Sequence, residues 1–354
     1  MRILFACGGD PTYIRNAVIL NLLRRSHEVI EITDSSRSTA TRHAKLALRL
    51  LRSRRDYDLV VIGFMGNYLM LLVPFLTRQP ILFDMFLSMY DTYCLDRRRF
   101  APDSLAGRLL FWLDANATRR ASHVLSDTHT HAQYLGETFH LPPNKVTFLF
   151  TGCNEQFFYP RQREPQLQRS TVTVLHYGAH LPLHGLDTIL RAAKRVEDNP
   201  DIRFKIIGSG IYTQNLHQLA GELKLDNVDW VPFLHFSKLP DEIEAADICL
   251  GGHFSTIPKA ARVIGGKTFE CLAMGKPTIV GENPANRELL THGHDAYFCP
   301  MANPDALAEA ILTLARDAAL RDYLGQNARQ TFVARCSVAA MAPTLDDLIT
   351  RLAS

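Results

Sequence analysis

The chain has 354 residues, of which 47% are hydrophobic and 21% charged, and its net charge at pH 7 is +3. This composition excludes a disordered tail and a fibrous protein, and the length favours two domains of about 150 to 180 residues each. The small net charge gives no support to nucleic-acid binding.

The seven cysteines are widely spaced and include no Cys-x-x-Cys pair. This pattern is typical of reduced thiols in a cytoplasmic protein, not of a disulfide framework or a zinc site. The N-terminus, MRILFACGGD, reads as a strand and lacks the regions of a signal peptide. The longest apolar run, 68–76, is about half of a membrane span and contains Pro74. We therefore expect a cytoplasmic protein that does not cross a bilayer.

Short β-rich runs alternate with helical patterns along the whole chain, which predicts parallel sheets built from βαβ units. The predicted fold class is α/β, with two successive Rossmann-like halves. The predicted strands are 2–7, 28–33, 59–64, 80–85, 123–127 and 146–150 in the first half, and 171–178, 204–210, 228–233, 247–252, 277–282 and 296–300 in the second.

The segment PRQREPQLQRS (160–170) is polar, contains prolines and has no periodicity, which predicts a linker. We place one Rossmann-like domain at 1–162 and a second at 171–335. The tail from Asp305 onward is helical in pattern, with Pro343 as its main interruption. Its last helix, at about 338–354, is a candidate to pack back on the first domain.

Three glycine-bearing turns lie at predicted strand-to-helix junctions of the second half: Gly178, then Gly208 with Gly210, then Gly265-Gly266. In open α/β sheets ligands bind beyond the carboxyl ends of the strands, where such turns let backbone amides approach phosphate. A glycine at one such turn often meets only a conformational need. Three in one domain favour a phosphate-binding edge.

Lys267 and Glu270 begin the short apolar helix that follows Gly266. A lysine there can carry a positive charge to a diphosphate beside a helix N-terminus, or can simply be solvated. The glutamate can accept hydrogen bonds from the vicinal diol of a ribose. Its other interpretation is complementing the helix dipole, which contributes about 0.3 to 1 kcal/mol.

Four segments in order resemble the landmarks of the nucleotide domain in retaining GT-B glycosyltransferases of the glycosyl transferases group 1 type. They are YGAHLPLHGLDTILRAAKRV, FKIIGSG, VDWVPFLHFSKLPDEIEAADICL and the stretch from KTFECLAMGKPTIVGENPANRELL to LARD. The resemblance is close over 171–317 and loose over the first half. It implies two facing Rossmann-like domains with an interdomain cleft, with the nucleotide sugar held by 171–335 and the acceptor by 1–162.

Carried over position by position, the resemblance assigns donor-binding roles to six residues. Gly178 and Gly208 match the phosphate-side turns, and Phe233 lies where the chain passes the base. Glu270 matches the second of two paired glutamates, the one associated with ribose. His184 and Gly210 complete the carried-over residues. With Lys267 and Arg262, which are predicted from their charge, the donor-binding set is Gly178, His184, Gly208, Gly210, Phe233, Arg262, Lys267 and Glu270.

Two positions depart from the family pattern. Arg262 stands eight residues before Glu270, where the first paired glutamate is expected, and Ala179 replaces an arginine. The family uses both positions around the donor sugar and its phosphates. We expect Arg262, Lys267 and His184 to form a replacement cationic clamp on the diphosphate.

Candidate catalytic carboxylates, Asp84, Asp91 and Asp96, follow a buried strand of the first half, where a functional loop is expected. Turn and helix capping is their alternative role. The resemblance implies a front-face mechanism in which the departing phosphate takes the acceptor proton, so Lys267 would stabilise the leaving group. We predict Asp84, Asp91 and Lys267 as the catalytic residues. His129 and His131 are interpreted as structural.

The segment TRHAKLALRLLRSRRDYD places Arg42, Lys45, Arg49 and Arg52 on one helical face. Such a basic helix can lie on an anionic membrane, which would make the protein peripheral to the inner face of the membrane and its acceptor lipid-linked. The alternative is an ordinary exterior helix.

The predicted function is a retaining glycosyltransferase that uses a nucleoside diphosphate sugar, based on UDP or GDP, and an acceptor that is a glycan, a lipid-linked molecule or a small molecule. No Asp-x-Asp motif follows a strand, so we predict no metal site and no cofactor beyond the donor. Two alternatives stay open: a sugar-nucleotide epimerase of the same fold, and a non-catalytic nucleotide-sugar-binding subunit.

Overall fold

The computed structural model describes residues 1–34, 36, 38–53, 56–161 and 171–353. The chain forms two compact units, one comprising Met1–Gly152 together with the segment from Ser337 onward, the other Cys153–Cys336. The predicted linker, 160–170, lies outside the described residues except for its first two positions.

The first unit contains one parallel sheet of six strands in the order β2-β1-β3-β4-β5-β6. Its central strands are buried apart from the first residue of β1, which is why they read as continuous apolar runs. Its strands are β1 Arg2–Cys7, β2 Glu28–Ile32, β3 Leu59–Gly63, β4 Ile81–Asp84, β5 His123–Ser126 and β6 Val146–Phe148. Its helices are α1 Ile14–Ser26, α2 Thr39–Arg52, α3 Val73–Leu76, α4 Leu105–Arg120 and α5 His129–Phe139.

Two irregular helical segments complete this unit, a 3-10 segment at Gly66–Leu71 and a π-helical segment at Asp91–Asp96. The 3-10 segment lies between β3 and α3 and packs against α4. The last helix of the chain, which is α13 below, packs against α1.

The second unit contains another six-stranded parallel sheet, in the order β12-β11-β10-β7-β8-β9. The chain runs outward from β7 to β9 and then returns to the other side of β7, so the direction of winding reverses between β7 and β10. Its strands are β7 Val172–Tyr177, β8 Ile202–Ile207, β9 Val228–Val231, β10 Ile248–Leu250, β11 Thr278–Glu282 and β12 Tyr297–Pro300. Its helices are α6 Leu186–Arg195, α7 Thr213–Glu222, α8 Leu239–Ala245, α9 Gly266–Ala273, α10 Pro284–Leu289, α11 Pro304–Arg316 and α12 Ala318–Arg335. The last helix of the chain, α13 Val338–Ala353, belongs to the first unit.

The core of the second unit is built by the helix faces that the sequence predicts. The apolar positions of α6, with Val196 just after it, are at most 1% exposed, and α6 packs against α11. Burying one leucine or isoleucine side chain stabilises the fold by about 1.5 to 3 kcal/mol. The buried positions are Leu186, Ile189, Leu190, Ala193 and Val196.

The fold class is confirmed, because two parallel six-stranded sheets with flanking helices are present. The interruption predicted at Pro343 is wrong, since this proline lies inside α13. The helical tail breaks instead where side chains cap the next helix. Asp317 accepts a hydrogen bond from the backbone of Leu320 at 2.8 Å, and the Ser337 hydroxyl accepts one from Ala340 at 3.1 Å.

Among the described residues, no helix has the length and the apolar character needed to cross a membrane. All seven cysteines are buried free thiols.

Candidate functional site at the carboxyl edge of the second sheet

The turns after β7 and β8 lie against each other at the point where the winding of the sheet reverses. Gly178 and Gly208 both have left-handed backbone conformations, with φ of +117° and +125°. A Cβ atom on Gly208 would lie 2.1 Å from the carbonyl oxygen of Gly178, so only glycine fits there. Gly210 belongs to the same turn and donates its N–H to the Thr213 hydroxyl at 2.8 Å.

A cavity of about 320 Å³ opens beside these two turns. It brings together Gly178, Gly208 and Phe233, three of the residues predicted to bind the donor, and adds Tyr177. The Phe233 ring is 79% exposed, an unusual position for so large an apolar side chain. An exposed aromatic ring at the rim can stack on a planar ligand.

A larger cavity of about 540 Å³ lies at the opposite, amino edge of the same sheet. Its lining includes Asp247, Lys276 and Arg329, and none of the predicted site residues. Ligands of doubly wound sheets bind at the carboxyl edge, where the direction of winding reverses. We therefore assign the site to the smaller cavity.

Tyr177 connects the cavity to α9. Its hydroxyl donates a hydrogen bond to Oε2 of Glu270 at 2.7 Å. The Cys271 sulfur lies 3.7 Å from the Tyr177 hydroxyl oxygen. Burial raises the pKa of Glu270 to about 7, against the lowering effects of the Tyr177 hydrogen bond and of the nearby Lys267 charge. The glutamate is thus buried against the strand that carries the cavity turn.

Lys267 lies in the first turn of α9 and is 8% exposed. Its Cε would be 3.8 Å from a Cβ atom placed on Gly178, so the lysine stem lies behind the glycine turn. Burial lowers the pKa of Lys267 to about 8, although the Glu270 carboxylate acts in the opposite direction. The ammonium group is therefore a buried cation that a bound anion would stabilise.

Three histidines lie near Lys267: His176 and His253 are buried and His184 is half-buried. The rings of His184 and His253 stack with centroids 5.3 Å apart, and His176 meets His184 at 6.1 Å. Burial, reinforced by the Lys267 charge, lowers the pKa of all three rings, that of His253 to about 3. The described structure shows no hydrogen-bond partner for either ring nitrogen of His176.

The structure changes the interpretation of His184 as a cation of the predicted clamp. The ring is close to Lys267, as expected, but it is neutral because partial burial beside that cation lowers its pKa. Arg262 follows a 3-10 turn at Pro258–Ala261 and is half-buried. Its place in the clamp stays a prediction.

In the first unit, Asp84 forms a buried ion pair with Arg15. The guanidinium donates to both carboxylate oxygens, and the shortest of these bonds is 2.8 Å. It also donates to the carbonyl oxygens of Leu149, Phe150 and Ser126. Both side chains have no exposed surface. This arrangement fixes the ends of β4, β5 and β6 and indicates a structural role for Asp84.

Asp91 lies in the π-helical segment, is 1% exposed and donates its backbone N–H to the Ser88 hydroxyl oxygen at 2.9 Å. Asp96 ends that segment. A catalytic role for Asp91 stays a prediction. His131 is buried and pairs with the Asp127 carboxylate at 2.5 Å, in keeping with the structural interpretation.

The basic face of α2 is largely engaged within its own unit. Arg42 donates to the carbonyl oxygens of Ser36 and Gly8, and Arg49 donates to that of Thr33. Lys45 donates to the Ser36 hydroxyl at 2.9 Å. Three of the four predicted cations therefore hold the loop after β2, as in an ordinary exterior helix.

Sequence reasoning missed Tyr177, His176 and His253 as members of the site. The first two are the last residues of β7, and alternate strand residues point to opposite faces, so one of them had to lie under the Gly178 turn. His253 follows β10, the neighbour of β7 across the winding reversal. Its proximity to Lys267 depends on strand order, which the local pattern does not specify.

Comparison with known proteins indicates the type of the second unit. Residues 160–331, just under half of the chain, match the family model described as Glycosyl transferases group 1. This segment is similar to a glycosyl transferases group 1 domain. The cavity, Lys267 and Glu270 all lie within it.

Two relatives show how far the similarity to known glycosyltransferases extends. An uncharacterised glycosyltransferase of Methanocaldococcus jannaschii is 24% identical over 228 residues, 64% of this chain and 58% of the relative. Alpha-D-kanosaminyltransferase of Streptomyces kanamyceticus is 22% identical over 272 residues, 73% of this chain and 66% of the relative. The chain thus spans less than two thirds of the length of each.

The fold is also similar to that of HepE from Anabaena, solved in complex with UDP and glucose. The TM-score is 0.77 at 17% identity, over 99% of this chain and 100% of HepE. This likeness supports the GT-B fold that the similarity to group 1 domains implies.

Proposed function

We propose that the protein is a glycosyltransferase that moves a sugar from a nucleoside diphosphate sugar to an acceptor, with retention and without a metal ion. The observation that carries the proposal is the cavity lined by Tyr177, Gly178, Gly208 and Phe233, with the Lys267 side chain packed next to Gly178. It lies in the segment similar to group 1 domains, at the edge where doubly wound sheets bind ligands.

The proposed donor pose assigns one part of the nucleotide to each part of the cavity. The diphosphate lies on the Gly178 and Gly208 turns, with Gly210, His184 and Arg262 nearby, and the Lys267 ammonium supplies the charge. The base stacks on Phe233. The ribose hydroxyls donate hydrogen bonds to Glu270, and these replace part of the hydrogen bonding between Glu270 and Tyr177. Because HepE is solved with UDP and glucose, UDP sugars are the first donors to test.

In the proposed reaction the acceptor oxygen forms a bond to the anomeric carbon while the bond from that carbon to the diphosphate oxygen breaks. The acceptor proton goes to the departing phosphate. The leaving group gains negative charge during this step, and Lys267 stabilises it electrostatically. We propose no protein base for this step, since the geometry of Asp84 indicates a structural role.

The proposal is tested by a thermal-shift panel of UDP-, GDP-, ADP- and dTDP-sugars, followed by product analysis with and without candidate acceptors. Stabilisation by one donor, transfer to an acceptor and unchanged activity in EDTA would support it. Conversion of the donor alone would identify an epimerase instead.

A non-catalytic binding subunit is the second candidate, favoured by Arg262, Ala179 and the neutral His184. It would be stabilised by a donor yet show no turnover with any acceptor. We place the protein in the cytoplasm, in keeping with its seven free thiols. Docking of the basic face of α2 on a membrane stays a proposal, weakened by the internal contacts of Arg42, Lys45 and Arg49.

A further inference from the structure

Helix α4 of the first unit carries an apolar stripe on its outer face. Leu105, Leu109 and Trp112 are 86%, 61% and 50% exposed, and their spacing of four and three residues puts them on one side of the helix. The buried residues of α4 include Leu113 and Ala117, which lie beside this stripe. The helix therefore presents apolar side chains both to the core and to solvent, whereas an ordinary exterior helix presents a polar face to solvent.

The stripe continues onto neighbouring elements. Arg120, eight residues beyond Trp112 on the same face, places its guanidinium 4.7 Å from the centre of the Phe75 ring in α3. Phe75 is 70% exposed. The 3-10 segment between β3 and α3, which packs against α4, adds the exposed side chains of Tyr68 and Leu71. We call this surface the α4 face; it comprises Tyr68, Leu71, Phe75, Leu105, Leu109 and Trp112.

The exposed charged side chains of α4 itself and of residues 66–80 are all positive. Arg108 and Arg120 project from α4, where Arg119 donates to the carbonyl oxygen of Phe139, and Arg78 follows α3. The exposed carboxylate of Asp103 lies just before α4. The one carboxylate among residues 66–80 and 105–120, all of which the structure describes, is Asp114. It is buried and accepts hydrogen bonds from Asn67, Ser88 and the backbone of Tyr90.

We infer that the α4 face docks on an anionic lipid surface, with Leu105, Leu109, Trp112 and Phe75 entering the interfacial layer and the arginines meeting lipid phosphates. A tryptophan among leucines, rimmed by arginine, is the composition that binds the boundary between headgroups and acyl chains. A second copy of the chain fits less well, because two such faces would bring the arginines of α4 against one another.

The inference differs from docking through α2, whose cations Arg42 and Arg49 bind the backbone of their own unit. It also goes beyond the proposed sugar transfer. Lipid binding is measured without donor or acceptor, so failure of one proposal leaves the other standing.

The test is co-sedimentation of the full chain with vesicles of phosphatidylcholine alone, or of phosphatidylcholine with phosphatidylglycerol. We expect binding only to the anionic vesicles. The double variant Leu109→Ser with Trp112→Ser should lower the bound-to-free ratio by at least about tenfold, since it removes two inserting side chains. Arg108→Gln with Arg120→Gln should lower it as well and weaken its dependence on salt.

The matched control is Val333→Ser, which removes an apolar side chain of 49% exposure from α12. It should bind vesicles like the unchanged chain. Unfolding curves of each variant in urea distinguish loss of the surface from loss of the fold. Equal binding to both vesicle types, no binding, or full binding by the Leu109 and Trp112 double variant would each overturn the inference.

Fluorescence adds an independent readout, because the chain has only two tryptophans. In a Trp230→Phe background, Trp112 is the remaining reporter, and its emission should shift to shorter wavelength on anionic vesicles. An unchanged spectrum on bound vesicles would exclude insertion of the α4 face. Dimerisation that the Leu109 and Trp112 double variant abolishes would assign the face to a second copy instead.

Discussion

The hydroxyl of Tyr177 lies 2.7 Å from Oε2 of Glu270, so the last residue of β7 is joined to the middle of α9 by a buried hydrogen bond. Replacement by phenylalanine leaves that carboxylate buried without this donor. We expect Tyr177→Phe to lower the free energy of unfolding by about 1.5 to 3 kcal/mol, as for other buried hydrogen bonds to charged groups. Urea unfolding measures the change, and a loss below about 0.5 kcal/mol would show that the bond contributes little.

Lys267 is expected to supply the main electrostatic attraction for the donor diphosphate. Lys267→Met, which retains most of the side-chain volume, should weaken donor binding by about ten- to a hundredfold, as loss of a charge-assisted hydrogen bond does. Calorimetry with the donor that the panel identifies measures it. Lys276→Met is the matched control, because this lysine is equally buried, follows the other end of α9 and donates to the carbonyl oxygen of Glu244. Equal losses in the two variants would exclude a direct role for Lys267.

Donor affinity should fall as the pH rises. Lys267, with its pKa lowered to about 8, loses its positive charge as the pH passes that value. Glu270, with its pKa raised to about 7, gains negative charge as the pH passes 7. Both changes disfavour a diphosphate, so the dissociation constant should increase between about pH 6 and about pH 9. In Lys267→Met only the part due to Glu270 should remain. Binding that strengthens with rising pH would contradict this assignment.

His184 should contribute far less than Lys267. Its ring is neutral in the free protein because burial and the Lys267 charge lower its pKa. His184→Asn removes no positive charge, so we expect only a few-fold loss of donor affinity at neutral pH. A loss as large as that of Lys267→Met would mean that the ring takes up a proton when the donor binds. Calorimetry in buffers of different ionisation enthalpy detects such uptake.

The Arg15–Asp84 pair should matter for stability more than for chemistry. Arg15→Met leaves the carboxylate of Asp84 buried without its counter-charge, and such changes cost about 3 to 5 kcal/mol. Asp84→Asn keeps one acceptor oxygen for Arg15 and should cost less. If Asp84→Asn retained the wild-type unfolding curve and yet lost all transfer activity, the catalytic role predicted from sequence would be restored.

The alternation of strands and helices was predictable because each buried strand is a local apolar run and each helix has a local period. All twelve predicted strand positions hold a strand, within a few residues at the ends. The glycine turns were also predictable, because they are visible in the local sequence, so Gly178 and Gly208 could be singled out. The burial of the site residues was not predictable, because it depends on which loops meet in the folded chain. This is why the sequence did not reveal that His184 is neutral or that Asp84 pairs with Arg15.

The strand order of the second unit also governs how the site can form. Gly178 follows β7, whereas Lys267 precedes β11, and β10 joins the two strands only after most of this unit has been synthesised. A fragment ending before α9 would contain the residues that line the cavity but would lack Lys267 and Glu270. If the proposed donor pose is right, full nucleotide affinity needs the complete sheet, and donor binding would report on folding of the whole unit.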